Sequence, residues 1–269
     1  MDVERSKALT ARLDITGIDF AAFERDPLAP EPLRCLRYMH DVEIHTICYL
    51  RDLLVTRAHR DPAVTSFLTF WAFEEFWHGD AIATVLQAHG EATENRVSDL
   101  RETLGWKDKI APYSHLLGSM VAGESFIAIH MTWGAINEWT TQASYARLAA
   151  KADHPVLGEL LRRIMRQEGR HIDFYAAEAT RRLQHDRRAQ RLTRFTLQRL
   201  WSPVGSSIMP TSEVDFMADY LWGDEEGEAM AARIDRRVDR LPGLADVHPM
   251  ARSWERSKKR RQHDALAPA

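Results

Sequence analysis

Two short runs hold the residue types that could do chemistry. Glu75-Phe76-Trp77-His78 and Glu168-Gly169-Arg170-His171 each place a carboxylate and an imidazole three residues apart. On a helix, positions i and i+3 share a face. A hard carboxylate beside a borderline imidazole suits an iron or manganese ion. With 19 glutamates and 12 histidines in 269 residues, chance alone gives about one such E-x-x-H, so the surroundings must decide.

The surroundings are apolar stripes at helical spacing. Glu75 falls on Leu68, Trp71, Ile82 and Leu86, and Glu168 on Leu157, Leu161, Ile164, Ile172 and Tyr175. Two further acids share this placement. Glu43 lies on Leu36, Met39, Ile47, Leu50 and Leu54, and Glu138 on Ile127, Met131 and Tyr145. An ionised carboxylate in a core is costly unless it is paired or coordinates a metal. Glu74 is one position off its stripe and reads as a neighbour of the site or a surface residue.

The elements that must position these residues are helices. Apolar residues recur every three to four positions, strand-like alternation is almost absent, and Gly and Pro sit between segments. The spacing predicts helices over 32–58, 62–89, 112–150 and 155–184, then 187–201, 211–222 and 225–240. Asp61-Pro62 and Asp153-His154-Pro155 read as helix starts, His89-Gly90 as a stop, and Ser202-Pro203-Val204-Gly205 as the end of the fifth helix. The expected architecture is an all-α, single-domain four-helix bundle over about 30–185. A helical extension over about 186–240 follows, then an irregular and partly disordered tail over 241–269.

Height along the bundle brings the four acids together. In an antiparallel helical hairpin, residues equidistant from the turn lie level. The midpoint of Glu43 and Glu75 is position 59, and that of Glu138 and Glu168 is position 153; both fall in expected turns. Each acid is therefore roughly 23 Å from its turn at 1.5 Å per residue. Glu124 fails this test, lying roughly 21 Å from Glu138 along the axis. One Glu on each of two helices and E-x-x-H on the other two is the dinuclear carboxylate pattern of ferritin-like bundles. The expected ligands are Glu43, Glu75, His78, Glu138, Glu168 and His171. Four carboxylates balance two divalent ions.

Composition narrows the rest. A formal net charge of −3 gives no global argument for nucleic acid or an anionic membrane as partner. Cys35 and Cys48 make no CxxC and no disulfide framework, which suits a reducing cytoplasm. The charged MDVERSKALT start shows no secretion signal. The apolar window 116–136 could span a bilayer by length, but it carries Glu124 and His130 and reads as a buried helix.

EEFWHGDAIATVL resembles the EENRHGDLL segment of soluble acyl-carrier-protein desaturases. NEWTTQASYARLAAKADHPVLGELLRRIMRQEGRHIDFY is similar to their third-to-fourth helix segment, with its glutamate, a threonine three residues later and a DEKRHE-like end. The resemblance covers about residues 30–185. It implies the same six metal ligands, two iron ions, and Thr141 near the dioxygen site. It also implies electrons from a donor such as ferredoxin, an acyl chain on acyl-carrier protein as substrate, and a homodimer. Three positions depart from the family: its Asn-Arg is Phe76-Trp77 here, and its Asp before the second E-x-x-H is Gln167. Such neighbours tune a metal and its reaction.

Other readings stay open. A manganese–iron pair would suit the same ligands. A related diiron enzyme could hydroxylate a smaller metabolite, whereas N-oxygenases with an extra His four residues before the second E-x-x-H glutamate have Ile164 against them. Iron handling, as in ferritin or rubrerythrin, leaves the C-terminal helices without a use and lacks the CxxC iron centre. A ribonucleotide reductase small subunit usually has Asp as its first ligand. The histidines His40, His45, His115 and His130 read as surface or satisfied core residues, with Asp41 and His45 a possible i, i+4 pair. Trp71, Trp77, Trp133 and Trp139 read first as core. The basic run Arg181, Arg182, Arg187, Arg188, Arg191, Arg194 and Arg199 is either a solvated face or a dock for an acidic carrier.

Overall fold

The computed structural model describes residues 3–266, with side chains to residue 260. Among these residues the chain is all-helical, with no strand. In chain order the helices are α1 (Val3–Leu9), α2 (Ala22–Arg25), α3 (Pro30–Leu54), α4 (Pro62–Ala88), α5 (Arg96–Leu104), α6 (Trp106–Ala122) and α7 (Ser125–Ala152). There follow α8 (Pro155–Leu183), α9 (Arg187–Arg199), α10 (Thr211–Trp222), α11 (Glu225–Asp239) and α12 (Pro249–Leu266). A 3-10 turn, Arg57–Arg60, joins α3 to α4.

The two E-x-x-H helices begin alike. Asp61 caps α4 by accepting from the N–H groups of Ala63 and Val64, with Pro62 in the first turn. His154 caps α8 by accepting at Nδ1 from Leu157 N–H, with Pro155 in the first turn. Glu75 and Glu168 then each fall 14 residues past their cap. Asp61 also accepts from Arg182 near the end of α8, which ties the start of one helix to the finish of the other.

α3 packs chiefly on α4, and α7 on α8. The two hairpins meet through a shared core. Phe67 of α4 stacks on Phe174 of α8 at 3.8 Å between centroids, and Tyr175 stands edge-on to Phe67 and Trp71. At Gly134 the approach of α7 to α8 is so close that a Cβ would lie 2.3 Å from the Tyr175 ring. The C-terminal helices fold back onto this bundle: α9, α10 and α11 lie on α7, and α12 on α11 and α9.

Several expected boundaries need correction. The first long helix stops at Leu54 rather than 58, ahead of the 3-10 turn that begins at Arg57. The segment read as one helix over 112–150 is two. Gly123, at φ +63°, takes a conformation that side-chain-bearing residues rarely adopt, and it ends α6 before α7 starts. α1, α2 and α5 had no sequence expectation. The tail expected to be irregular from 241 is irregular only to residue 248 and then helical. The Asp235 carboxylate accepts from the N–H groups of Met250 and Ala251, which starts α12 from a neighbouring helix. Residues 267–269 of the expected disordered end lie outside the described residues.

The inward stripes hold around the acids. On α3 the stripe fails past Glu43, where Ile47 is 51% exposed and Leu54 37%. α6 likewise turns Trp106, Tyr113, Leu117 and Val121 outward. The window 116–136 is broken at Gly123, and no helix among the described residues is long and apolar enough to cross a membrane.

Candidate metal centre

The six residues singled out by spacing meet in the bundle core. Glu43, Glu75, His78 and Glu168 offer ligand atoms that all lie within 4.8 Å of one another, and so do Glu75, Glu138, Glu168 and His171. The two sets share Glu75 and Glu168. All six residues are buried, Glu168 and His78 completely.

Geometry around the imidazoles defines two adjacent pockets. His78 Nδ1 lies 3.3 Å from both Glu75 Oε2 and Glu168 Oε1. His171 Nδ1 lies 3.1 Å from Glu75 Oε1, 3.0 Å from Glu168 Oε2 and 4.0 Å from Glu138 Oε2. Each Nδ1 therefore faces one oxygen of each shared carboxylate, so Glu75 and Glu168 border both pockets. Glu43 and Glu138 stand at opposite ends. Tyr145 Oη donates to Glu43 Oε1, and Trp71 Nε1 donates to Glu138 Oε1 at 2.9 Å.

The outer ring nitrogens are held too. His78 Nε2 lies 2.9 Å from Gln167 Oε1, and His171 Nε2 lies 2.8 Å from Glu74 Oε2. Glu74 also accepts from Arg170 Nη2. Each holding residue immediately precedes the glutamate of the opposite E-x-x-H. With Nε2–H directed outward, the Nδ1 lone pair is left for a metal.

The electrostatics fit cations. Burial, then the charge of neighbouring Glu75, raises the Glu43 carboxyl well above the usual range. Burial, then the charges of Glu168 and Glu75, does the same to Glu138. Burial disfavours a charged His78, but hydrogen bonds with Glu168 and Glu75 outweigh it and push the imidazole up to about 10. These shifts all run in the direction that favours added positive charge at the cluster. Glu168 Oε1, completely buried, makes no well-aligned hydrogen bond, and His78 Nδ1 approaches it only to 3.3 Å. A buried carboxylate oxygen this poorly satisfied has lone pairs left that a metal ion would take up. The donor set, four carboxylates and two imidazoles, matches two iron or manganese ions.

The other candidates fall elsewhere. Thr141 is half-buried and is not among the ligand atoms, while the helix back-bond at this level is made by Thr140 to Ile136 O. Glu124 pairs with Arg57 and its side chain is 80% exposed. The expected Asp41–His45 pair does not form, because Asp41 turns to His40 and to the guanidinium of Arg96. His130 is buried against Tyr49, and burial lowers its imidazole to about 3. Of the basic run, Arg181 pairs with Glu178, Arg182 with Glu178 and Asp61, and Arg194 donates to Ala245 O, while Arg187, Arg188, Arg191 and Arg199 are exposed. A third cluster, His45, Cys48 and Asp108, has ligand spacing. Its Asp108 is already held by Arg51 and Arg101, two guanidiniums that repel a cation.

Beside the centre lies a cavity of about 410 Å³ walled by α3, α7, α10, α11 and α12. Glu43, Tyr145 and Thr141 line it, together with Met39, Val42, Met217 and Trp222, and Arg256 and Arg260 stand on α12. The helical extension is therefore a wall of the space next to the candidate ligands. Spacing alone had not linked Tyr145 or Trp71 to the acids, although both sit on the predicted stripes. No known family model, curated protein or solved structure matches the chain.

Proposed function

We propose that the chain is a ferritin-like, dioxygen-dependent diiron oxidoreductase of the acyl-carrier-protein desaturase type, removing hydrogen from an acyl chain. The observation that carries this reading is the pair of overlapping ligand sets sharing Glu75 and Glu168, set against a cavity that reaches Glu43. Glu43, Glu75 and His78 with Glu168 would hold one ion, and Glu75, Glu138, Glu168 and His171 the other. When bound, two irons supply dioxygen reduction and the oxidising power for an unactivated C–H bond.

The chain's own residues do the rest. Tyr145 and Trp71 each tie one oxygen of a terminal carboxylate and leave the second for metal. Met39, Val42, Met217 and Trp222 give the cavity an apolar wall that keeps water from a substrate chain. Thr141 Oγ1, on the same wall, would hold or pass a proton beside Glu43. Electrons would come from an external donor such as ferredoxin, and the working form would be a homodimer.

A second reading is hydroxylation of a smaller metabolite. It is favoured by the polar groups on the cavity wall, among them Ser144, Ser202, Ser206 and Arg256. Non-catalytic iron storage is disfavoured, since it gives no use to a cavity walled in part by the extension.

The deciding experiment has two parts. Reconstituted protein is assayed for iron, with two per chain expected; one zinc or no metal overturns the proposal. Glu138→Ala should lose metal and Glu124→Ala keep it. Reduced protein is then given dioxygen with acyl-carrier and acyl-CoA thioesters and with small polar metabolites. Loss of two hydrogens from the acyl chain supports desaturation, whereas gain of one oxygen on a small substrate supports the second reading.

A further inference from the structure

We infer that the N-terminal segment is a positioning element of the metal centre, acting through one residue, Ala11, whose backbone N–H and C=O orient the holders of both imidazoles at once. The inference rests on the metal reading above. Ala11 N–H donates to Glu74 Oε1 at 3.3 Å. Ala11 C=O accepts from Gln167 Nε2 at 3.1 Å. Glu74 in turn holds His171 Nε2, and Gln167 holds His78 Nε2.

The donor–acceptor logic is strict on one side. A carbonyl only accepts, so the Gln167 amide must turn its NH₂ toward Ala11 and its Oε1 toward His78. An accepting Oε1 requires a hydrogen on His78 Nε2, which leaves Nδ1 as the ligand atom facing Glu75 and Glu168. Without Ala11, the amide is free to flip and present NH₂ to the imidazole, and the wrong nitrogen would then carry the proton. Glu74 differs, because a carboxylate accepts in any orientation and Arg170 holds it independently. The two pockets therefore depend unequally on the segment, the His78 side more than the His171 side.

The segment has its own anchors. Leu13 is buried. The Arg12 guanidinium lies 4.0 Å over the Trp77 ring and 3.6 Å from Asp80. Arg163 Nη1 donates to Asp14 O at 2.8 Å and Thr16 O at 2.9 Å. This gives a use to Trp77, one of the three residues that depart from the desaturase pattern: it is a landing place for the strap that sets the histidines.

The test uses the full chain and Co(II) as probe, with stepwise affinities from calorimetry and the visible spectrum of bound Co(II). Wild type should bind two ions. Arg12→Ala/Arg163→Ala, which loosens the strap without touching any ligand, should weaken one of the two sites by about 10–100-fold and leave the other within a few-fold. Gln167→Leu should weaken the same site, and combining the changes should add little, since both act through one contact. Arg12→Lys/Arg163→Lys should restore most of the loss. If wild type binds two ions and Arg12→Ala/Arg163→Ala binds both with unchanged affinity and spectrum, the inference is overturned while the metal centre stands. If wild type binds fewer than two, the metal reading itself falls.

Discussion

Gly134→Ala is a sharp probe of how tightly the hairpins are joined. Two effects of opposite sign compete. In a helix interior, Ala is favoured over Gly by about 1 kcal/mol, so helix propensity alone predicts a more stable protein. Packing predicts the reverse. A Cβ at 134 would lie 2.3, 2.4 and 2.8 Å from three atoms of the Tyr175 ring, and must reach at least 3.4 Å for ordinary contact, a retreat of 1.1 Å. That ring is 1% exposed and boxed by Phe67, Trp71 and His130 at centroid distances of 4.9, 6.0 and 6.0 Å. A flat rigid ring cannot sidestep as a flexible side chain would. Overpacking of this kind costs about 1–3 kcal/mol, here at the upper end, so the net loss is about 1–2 kcal/mol. For a chain of this length that is a fall in Tm of about 2–4 °C, readable by calorimetry. Trp71 abuts the ring and donates to Glu138, so metal affinity should fall with stability. A Tm at or above wild type would refute the packing account.

Three further outcomes follow from particular contacts. At Asp41, burial alone would raise the carboxyl, but hydrogen bonds from His40 and Arg96 outweigh it and hold it below its ordinary value. A depressed carboxyl contributes stability above its unfolded pKa, about 3.9, and loses it as pH falls through the folded value. Asp41→Asn should therefore cost about 1–2 kcal/mol at pH 7 in urea unfolding, and the gap to wild type should close below about pH 4; a constant gap down to pH 3 would contradict this. Burial pushes the Cys35 thiol up to about 12 and raises Cys48, so iodoacetamide at pH 8 should label neither in the native protein and both after unfolding. Asp61→Ala removes the α4 cap and the Arg182 partner and should cost about 1–2 kcal/mol, whereas Asp61→Ser keeps a capping oxygen and should cost less; equal losses would show that the cap is idle.

What could be read in advance depended on physics local to a helix. The positions of Glu43, Glu75, Glu138 and Glu168 followed from the 3.6-residue period and from two turns marked by Pro62 and Pro155, and the structure brings them together. The break at Gly123 was not legible, because apolar spacing continues across it and nothing local separates it from Gly134, which stays helical. α12 was missed because Asp235, far away in sequence, supplies its cap and only Met250 and Trp254 mark its inner face. Ile47 and Leu54 continue the α3 stripe in sequence, yet at their level it is Cys48, Asp52 and Leu53 that are buried, so the covered face has shifted away from the stripe. Ala11 could not be found by residue type at all, since its backbone N–H and C=O make the two contacts and its side chain makes neither.

The matching 14-residue spans from cap to glutamate carry a consequence for how this chain tolerates insertions and deletions. A residue added in the connection over 55–60 lengthens a turn and leaves every helix in phase. A residue added between Asp61 and Glu75 turns everything beyond it by about 100° and lifts it by about 1.5 Å, so that Glu75 and His78 leave the core together. The same holds between His154 and Glu168. A library of single-residue insertions should show two silent windows, each ending abruptly at a cap.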